Sequence, residues 1–304
     1  MEEKYLIWHV QGGLGKNVAA TALCQDIKEK YPDRKFILVC SYPEVFLNNP
    51  YIDKVYNLST LSYFYETYID GKDVIIFKHE PYFQTGHITQ STSLIENWCN
   101  LLDIEYKNQL PFIYINYAQK SLANSWERPK PILLLQTCGG PLSPIPNPDG
   151  TIPQSSQYSW SRDLPYEIAI EIVKKYSQLY HIIQVTKPDG YQLQEVERLD
   201  KPLSNIELAS LVVASKKRIL IDSCLQHMAA AFGKPSNVFW IATSPNTFGY
   251  GMHKNIQANN PKVANQLMYS YDFPYQFDNN LHECPYNDIN DMFNIPEVLN
   301  SLGN

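Results

Sequence analysis

Three glycines and a lysine follow the first apolar run of the chain, in the stretch GGLGK at residues 12–16. The backbone N–H groups of such a turn, the amino end of the following helix and the lysine are all suited to binding phosphate. An ATPase loop is therefore one interpretation. The usual spacing of that loop, however, would need glycine at Val10, and serine or threonine at Asn17 to hold Mg²⁺. The glycines could also serve only a tight turn and close helix packing.

A second group of residues suited to phosphate chemistry stands in the stretch ILIDSCLQHMAAAFGKP, residues 219–235. Asp222 and Ser223 stand at the exit of a predicted strand. The residues from Ser223 onward then lie at the amino end of a helix, whose unpaired N–H groups favour an anion. His227 lies one turn beyond Ser223 on the same helix face. We therefore expect an anion site here, although a satisfied core histidine is the simpler interpretation of His227.

The composition indicates an ordinary globular protein. Of the 304 residues, 44% are hydrophobic and 18% are charged, which argues against disorder. The formal net charge is -6 and no run of lysine or arginine is present, so nucleic acid and anionic membranes gain no support as general partners. The six cysteines form no CxxC pair, which indicates reduced, structural thiols. The first apolar stretch is too short for a signal peptide or a membrane span, so we expect a cytoplasmic protein without stable membrane insertion.

Apolar runs and helical spacing alternate along the chain in two series. In the first series, strands are predicted at 5–10, 35–40, 54–58 and 72–77, with one helix behind the glycine turn and another at 93–104. In the second series, strands are predicted at 130–137, 181–185, 217–222 and 236–242, with helices at 166–179, 207–215 and 224–233. This alternation predicts parallel sheets in an α/β protein.

The length of the chain favours two domains. We predict an N-terminal domain at 1–150, a C-terminal domain at 151–285, and a tail with a short helix at 286–304. We expect the tail to pack back on the first domain.

The stretch after Ile221 resembles the nucleotide-sugar phosphate site of the heptosyltransferase-like glycosyltransferases. This family is glycosyltransferase family 9, the lipopolysaccharide ADP-heptose transferases. Their pattern is D-S/T-G-x-x-H-x-A-A-A-x-G-K-P, and Cys224 replaces its glycine. The matching residues are Asp222, Ser223, His227, Ala229, Ala230, Gly233, Lys234 and Pro235. The opening segment is similar to the family's G-x-L-G-D turn, with Lys16 at the aspartate. The segment YSWSRDLPYEIAIEIVKKY resembles the family's K-x-W-P segment, in which we place Trp160 and Pro165. Together these similarities cover roughly residues 5–58 and 158–256.

The resemblance implies a GT-B fold, in which two Rossmann-like, doubly wound α/β domains face each other across a cleft. It also implies an inverting, metal-independent glycosyltransferase that moves a hexosyl- or heptosyl-type sugar from a nucleotide diphosphate to an acceptor hydroxyl. No D-x-D motif is present, and we expect neither a metal nor a resident cofactor. The nature of the acceptor stays open among a glycan, a protein hydroxyl and a modified nucleobase.

Lys16 is the main departure from the family, whose aspartate at this place is the base. A lysine at neutral pH is protonated unless it is strongly desolvated. Either the base has moved, with His79 and Glu80 in FKHEPY as the nearest candidates, or the chain binds a nucleotide sugar without turnover. If the chain is an enzyme, we predict that Lys16 stays charged and steadies the departing diphosphate.

These considerations give a set of candidate residues. We expect the catalytic residues to be Lys16, His79 and Glu80. We expect the donor to be bound by Gly13, Gly15, Lys187, Asp222, Ser223, Cys224, Gln226, His227, Thr243 and Ser244. Lys187 could equally be an ordinary surface lysine, and His79 and Glu80 ordinary loop residues.

Overall fold

The computed structural model describes residues 3–139, 161–187, 190–199, 201–259 and 286–303, and in these residues the strands form two parallel sheets. The first sheet contains β1 (Lys4–Val10), β2 (Lys35–Cys40), β3 (Lys54–Asn57) and β4 (Asp73–Phe77), in the order β3-β2-β1-β4. The second contains β5 (Ile132–Gln136), β6 (His181–Val185), β7 (Glu197–Arg198), β8 (Lys217–Ile221), β9 (Asn237–Trp240) and β10 (Lys254–Gln257), in the order β10-β9-β8-β5-β6-β7. The predicted α/β class with parallel strands is confirmed.

Helices follow most strands. Before β5 they are α1 (Leu14–Ala20), α2 (Cys24–Lys30), α3 (Phe64–Tyr68), α4 (Thr85–Ile88), α5 (Leu94–Leu102) and α6 (Tyr117–Asn124). After β5 they are α7 (Tyr166–Tyr176), α8 (Asn205–Ala214), α9 (Cys224–Ala231), α10 (Pro245–Phe248), α11 (Ile289–Met292) and α12 (Ile295–Ser301). Short 3₁₀ turns lie at Thr21–Leu23, Pro43–Val45 and Pro81–Phe83. The single helix predicted behind the glycine turn is two helices, because the chain tightens at Thr21, whose hydroxyl donates to the Val18 carbonyl at 2.6 Å.

The central strands are buried on both faces, which is why their sequences are continuous apolar runs. In β1, Leu6 and Trp8 belong to the main core, whereas Tyr5 and Ile7 belong to a smaller cluster on the opposite face. Strand β1 pairs in parallel with both β2 and β4, so it is an interior strand of the sheet. The glycine turn therefore follows a strand that is held on both sides.

The two sheets are joined by helix packing, chiefly between α1 and α9. One hydrophobic core contains Val18 and Ala19 from α1 together with Leu225 and Met228 from α9. Helix α6 packs on α8 in the same way. The glycine turn and the start of α9 are thus held against each other by a shared core.

Strand β5 lies in the second sheet, between β8 and β6. The chain therefore changes sheets between Phe77 and Ile132. The domain boundary at residue 150 stays a prediction, and most of the surrounding loop, 140–160, lies outside the described residues.

The C-terminal helix packs on the second sheet, so the expectation that the tail returns to the first domain is wrong. The rings of Phe293 and Phe239 lie 5.6 Å apart. Lys175 donates to the Leu299 carbonyl at 2.6 Å, and Lys217 donates to the Leu302 carbonyl at 2.8 Å. These ammonium groups satisfy carbonyls that the end of α12 leaves unpaired and lie at the negative end of the helix dipole.

The free thiols among the described residues are Cys24, Cys40, Cys99, Cys138 and Cys224, whereas Cys284 lies outside the described ranges. Within those ranges, no helix has both the length and the apolar character needed to cross a bilayer.

Candidate functional site

The glycine turn brings Lys16 into a buried ion pair with Glu80. Lys16 lies in the first turn of α1, and its side chain is only 6% exposed. Its Nζ atom lies 2.5 and 2.6 Å from the two carboxylate oxygens of Glu80. Burial lowers the pKa of Lys16, and the hydrogen bond to Glu80 opposes that shift. Two of the three predicted catalytic residues are therefore in direct contact.

Aromatic rings surround the Lys16 ammonium. Its Nζ atom lies 4.4 Å from the ring centroid of Tyr82 and 5.9 Å from that of Trp98, within the range of cation–π attraction. Tyr82 lies in the 3₁₀ turn that Glu80 caps, and its backbone N–H donates to the Glu80 carboxylate at 3.3 Å. The Glu80 side chain is 22% exposed, so its carboxylate has more access to solvent than the ammonium.

His79, the third predicted catalytic residue, is exposed. Its ring centroid lies 6.0 Å from that of Phe77, at the end of β4. Of the two candidates for the base, Glu80 is the one that the Lys16 contact fixes in position.

Asp222 orients two side chains at the carboxyl end of β8. The Thr243 hydroxyl donates to Asp222 Oδ2 at 2.5 Å, and Nε of Arg162 lies 3.8 Å from the same oxygen. The Asp222 side chain is 9% exposed, whereas that of Arg162 is 38% exposed. Asp222 therefore lies beside the Arg162 guanidinium, which is accessible to a ligand. The Thr243 hydroxyl donates its proton to Asp222 rather than to a ligand.

The start of α9 offers uncapped N–H groups. Ser223 is the N-cap residue in extended backbone, but its side chain does not cap the helix. Its hydroxyl lies 3.8 Å from the Cys224 sulfur. Gly139, after β5, approaches closely, since a Cβ there would lie 3.4 Å from the Ser223 hydroxyl oxygen. A half-buried helix start of this kind is suited to an anion.

His227 is buried and both its ring nitrogens have partners. Nδ1 lies 2.7 Å from the Tyr250 hydroxyl, and Nε2 lies 3.0 Å from the Gln226 amide nitrogen. Because an amide nitrogen only donates, this arrangement places the ring proton on Nδ1. Burial lowers the pKa of His227 to about 3, so the ring is neutral. Its role as a diphosphate ligand stays a prediction, and with a neutral ring such a contact would lack the charge assistance of an imidazolium.

Gly15 allows the two helix starts to meet. A Cβ at Gly15 would lie 2.7 Å from Cδ2 of His227 and 3.4 Å from the Cα atom of Cys224. Any other residue would force these groups apart. Lys16 is the next residue along the chain, and its side chain extends to Glu80 and Tyr82.

Three other predicted donor residues have different surroundings. Gln226 is fully buried, and its amide nitrogen donates to the Phe248 carbonyl at 2.9 Å. Ser244 is buried as the N-cap of α10. Lys187 is half-buried after β6, at the same edge of the parallel sheet as Asp222. Their contacts with a donor, like that of Gly13, the N-cap residue of α1, stay predictions.

Sequence reasoning missed Arg162, although a signal was available. Read in register, the family's K-x-W-P segment falls on RDLP, residues 162–165, which puts Arg162 at the lysine and Leu164 at the tryptophan. Trp160 cannot match that tryptophan, because it does not adjoin Pro165, and it lies outside the described residues. Pro165 itself is the N-cap residue of α7.

Acidic, histidine and cysteine side chains are the usual protein ligands of metal ions. In the part of the chain that the structure describes, no three or more of them are placed to hold a metal ion.

The two parallel sheets and the helices that join them give the chain a GT-B-type fold, as the resemblance implied. A solved structure of the glycosyl transferase family 9 protein from Veillonella parvula DSM 2008 matches with a TM-score of 0.64 and 13% identity, over 99% of this chain and 98% of that one. The dodecameric iron-containing heptosyltransferase TibC from enterotoxigenic E. coli, in complex with ADP-D-beta-D-heptose, matches with a TM-score of 0.64 and 14% identity, over 99% and 77% of the two chains.

The ADP-heptose LPS heptosyltransferase II of E. coli matches with a TM-score of 0.56 and 11% identity, over 90% of this chain and 100% of that one. At these identities the likeness is one of fold. The sequence matches no family model and no curated protein.

Proposed function

We propose that the protein is a glycosyltransferase that takes a sugar from a nucleotide diphosphate donor. The observation that carries the proposal is the contact at Gly15, which brings the glycine turn against the uncapped start of α9. Two cations lie at these elements, since Lys16 follows Gly15 in the turn and Nε of Arg162 lies 3.8 Å from Asp222, just before α9. The fold shared with glycosyltransferases supports the same reaction class.

We propose that the donor diphosphate binds at the start of α9. The N–H groups of Ser223 and Cys224 would face the phosphate oxygens, and Arg162 would neutralise part of their charge. Asp222 supports this arrangement because its carboxylate lies 3.8 Å from Nε of Arg162. Lys187, at the same sheet edge, would lie toward the nucleoside end.

Glu80 is the proposed base for an inverting transfer. Its carboxylate would take the proton of an acceptor hydroxyl while the hydroxyl oxygen forms a bond to the anomeric carbon of the sugar. The bond from that carbon to the diphosphate oxygen breaks, and its electron pair stays on the oxygen. Arg162 and the start of α9 would stabilise the charge that grows there. The proton on Glu80 then passes to solvent.

The donor site is tested first by binding. ADP, UDP and GDP should be titrated and the rise in melting temperature recorded, since a ligand that binds only the folded state raises it. Arg162→Met should weaken nucleoside diphosphate affinity about ten-fold or more, because a charged contact contributes about 1.5–3 kcal/mol. Lys174→Met, an exposed lysine on α7, is the matched control and should leave affinity unchanged. If none of the three nucleotides binds, the proposal is wrong.

The reaction is tested by acceptor-dependent release of nucleoside diphosphate from a panel of nucleotide sugars. Glu80→Gln should lower turnover by about 10²–10⁴-fold, the usual contribution of a general base. His79→Gln is the comparison, and a larger loss of turnover in that variant would move the base to His79.

We propose a reaction without a metal, and dialysis against EDTA should leave turnover unchanged. Since TibC is described as iron-containing, this measurement is needed.

A nucleotide-sugar-binding protein without turnover is the second candidate. The observation that favours it is the ion pair with Lys16, which occupies both oxygens of the proposed base. Binding without nucleotide release would support it. So would a Lys16→Asp variant, which restores the family residue, if that change created transferase activity.

A further inference from the structure

We infer that the donor diphosphate and Glu80 compete for the Lys16 ammonium, so that donor binding uncovers Glu80 as the base and the acceptor reacts only after the donor is bound. This inference rests on the proposed function and adds an order to it. It follows from how the ammonium is enclosed, from how the ion pair occupies the carboxylate, and from the place of Lys16 directly after Gly15, which packs on α9.

The Lys16 ammonium has few directions left for further partners. An ammonium carries three N–H donors. Both Glu80 oxygens lie at hydrogen-bond distance, and the Tyr82 ring covers another side at 4.4 Å. A diphosphate that reaches Nζ must therefore take the place of one or both carboxylate oxygens.

The ion pair occupies Glu80 while it lasts. Both carboxylate oxygens accept from the Lys16 ammonium, at 2.5 and 2.6 Å. An acceptor hydroxyl that is to donate to one of these oxygens must therefore share it with the ammonium. Removal of the ammonium leaves both oxygens open to the acceptor.

A diphosphate at the start of α9 is well placed to attract Lys16. Gly15 packs so closely on α9 that a Cβ there would lie 2.7 Å from His227 and 3.4 Å from the Cα atom of Cys224, and Lys16 directly follows Gly15 in the chain. The lysine side chain is a flexible stem with a compact point charge, so it can turn between partners without moving α1. A diphosphate bears more negative charge than one carboxylate and would compensate for the lost pair.

The test is the affinity for ADP, with UDP and GDP as further probes, measured by calorimetry at pH 7 on folded protein. Glu80→Gln removes the competitor while keeping the shape of the side chain, so it should tighten nucleotide binding about ten-fold even though it lowers turnover. Lys16→Met should weaken binding about ten-fold. In the double variant, Glu80→Gln should no longer tighten binding, because the ammonium is absent. Glu80→Asp, whose shorter side chain pulls the carboxylate away from Nζ, should also tighten binding and serves if the Gln variant does not fold.

Glu29→Gln, an exposed glutamate at the far end of α2, controls for the loss of one negative charge and should leave affinity unchanged. If Glu80→Gln and Glu80→Asp leave affinity unchanged or weaken it, the competition does not occur, although the nucleotide site stands. If tightening survives in the double variant, it does not act through Lys16 and the inference is also wrong. If the wild-type protein binds none of the three nucleotides, the proposed function fails and the inference fails with it.

Discussion

Acidification from pH 8 to pH 5 should destabilise the protein through two buried histidines where the two sheets are joined. His87 is fully buried and stacks on Tyr82 with 4.6 Å between ring centroids, while the ring of Phe248, at the end of α10, lies 5.6 Å away. His227 is 5% exposed and packs against Gly15. Burial lowers the pKa of His87 to about 4 and that of His227 to about 3.

The size of the effect follows from the difference between the folded and unfolded pKa values. In the unfolded chain each imidazole has a pKa near 6.5. Because the folded values are lower, the contribution to stability is fully present above pH 6.5 and is lost as the pH falls toward the folded values. At pH 5 the loss is about 2 kcal/mol for each histidine, or about 4 kcal/mol for both, at about 1.36 kcal/mol per pKa unit. Any folded pKa of about 4 or below gives nearly the same loss at pH 5, since the folded histidine is then still neutral.

Carboxylates act in the same direction but at lower pH. Arg128 lowers the pKa of Glu197, and the backbone N–H of Ser204 lowers that of Glu207. Their unfolded pKa is near 4.5, so stability that depends on their ionised form is lost mainly below that pH. The interval from pH 8 to pH 5 therefore reports on histidines.

The assay is urea unfolding at pH 8, 7, 6 and 5, which gives the free energy of unfolding at each pH. His87→Gln and His227→Asn should each reduce the loss between pH 8 and pH 5 by about 2 kcal/mol, whatever they do to stability at pH 8. His79→Gln, an exposed histidine, is the control and should keep the wild-type pH dependence. A wild-type change of less than about 1 kcal/mol, or variants that keep the full change, would refute the reasoning.

Two further changes test the packing around the site and the docking of the C-terminal helix. Gly15→Ala should lower the free energy of unfolding by about 1–3 kcal/mol, because its Cβ would lie 2.7 Å from His227. Gly13→Ala should have little effect, because nothing lies within 4 Å of a Cβ there. Urea unfolding of both variants measures the difference. Lys217→Met removes the hydrogen bond to the Leu302 carbonyl and should lower the free energy of unfolding by about 1 kcal/mol. Amide hydrogen exchange in α12 should become faster. Unchanged exchange would show that this contact does not hold the helix.

The sequence alone determined eight of the ten strands that the structure describes, the glycine turn and the helix after Asp222, but it did not indicate β7 or β10. Strands buried on both faces must be continuous apolar runs, so β1, β2, β5 and β8 were visible without any knowledge of their partners. The motif around Asp222 has a fixed local geometry, since a strand end, a helix start and small alanines lie within a few residues. The same local signals gave the right fold class.

Only the tertiary structure decided which side chains meet. Lys16 and Glu80 are 64 residues apart in the chain, and their contact depends on β1 and β4 being neighbours in one sheet. Local sequence periodicity carries no information about strand order, so the sequence could name Glu80 as a candidate base but could not place its carboxylate against Lys16. The surroundings of His227 were likewise undetermined, because its burial comes from Gly15 on α1 and Tyr250 beyond α10. Burial and charge partners set the protonation state of such groups, and both are properties of the folded chain.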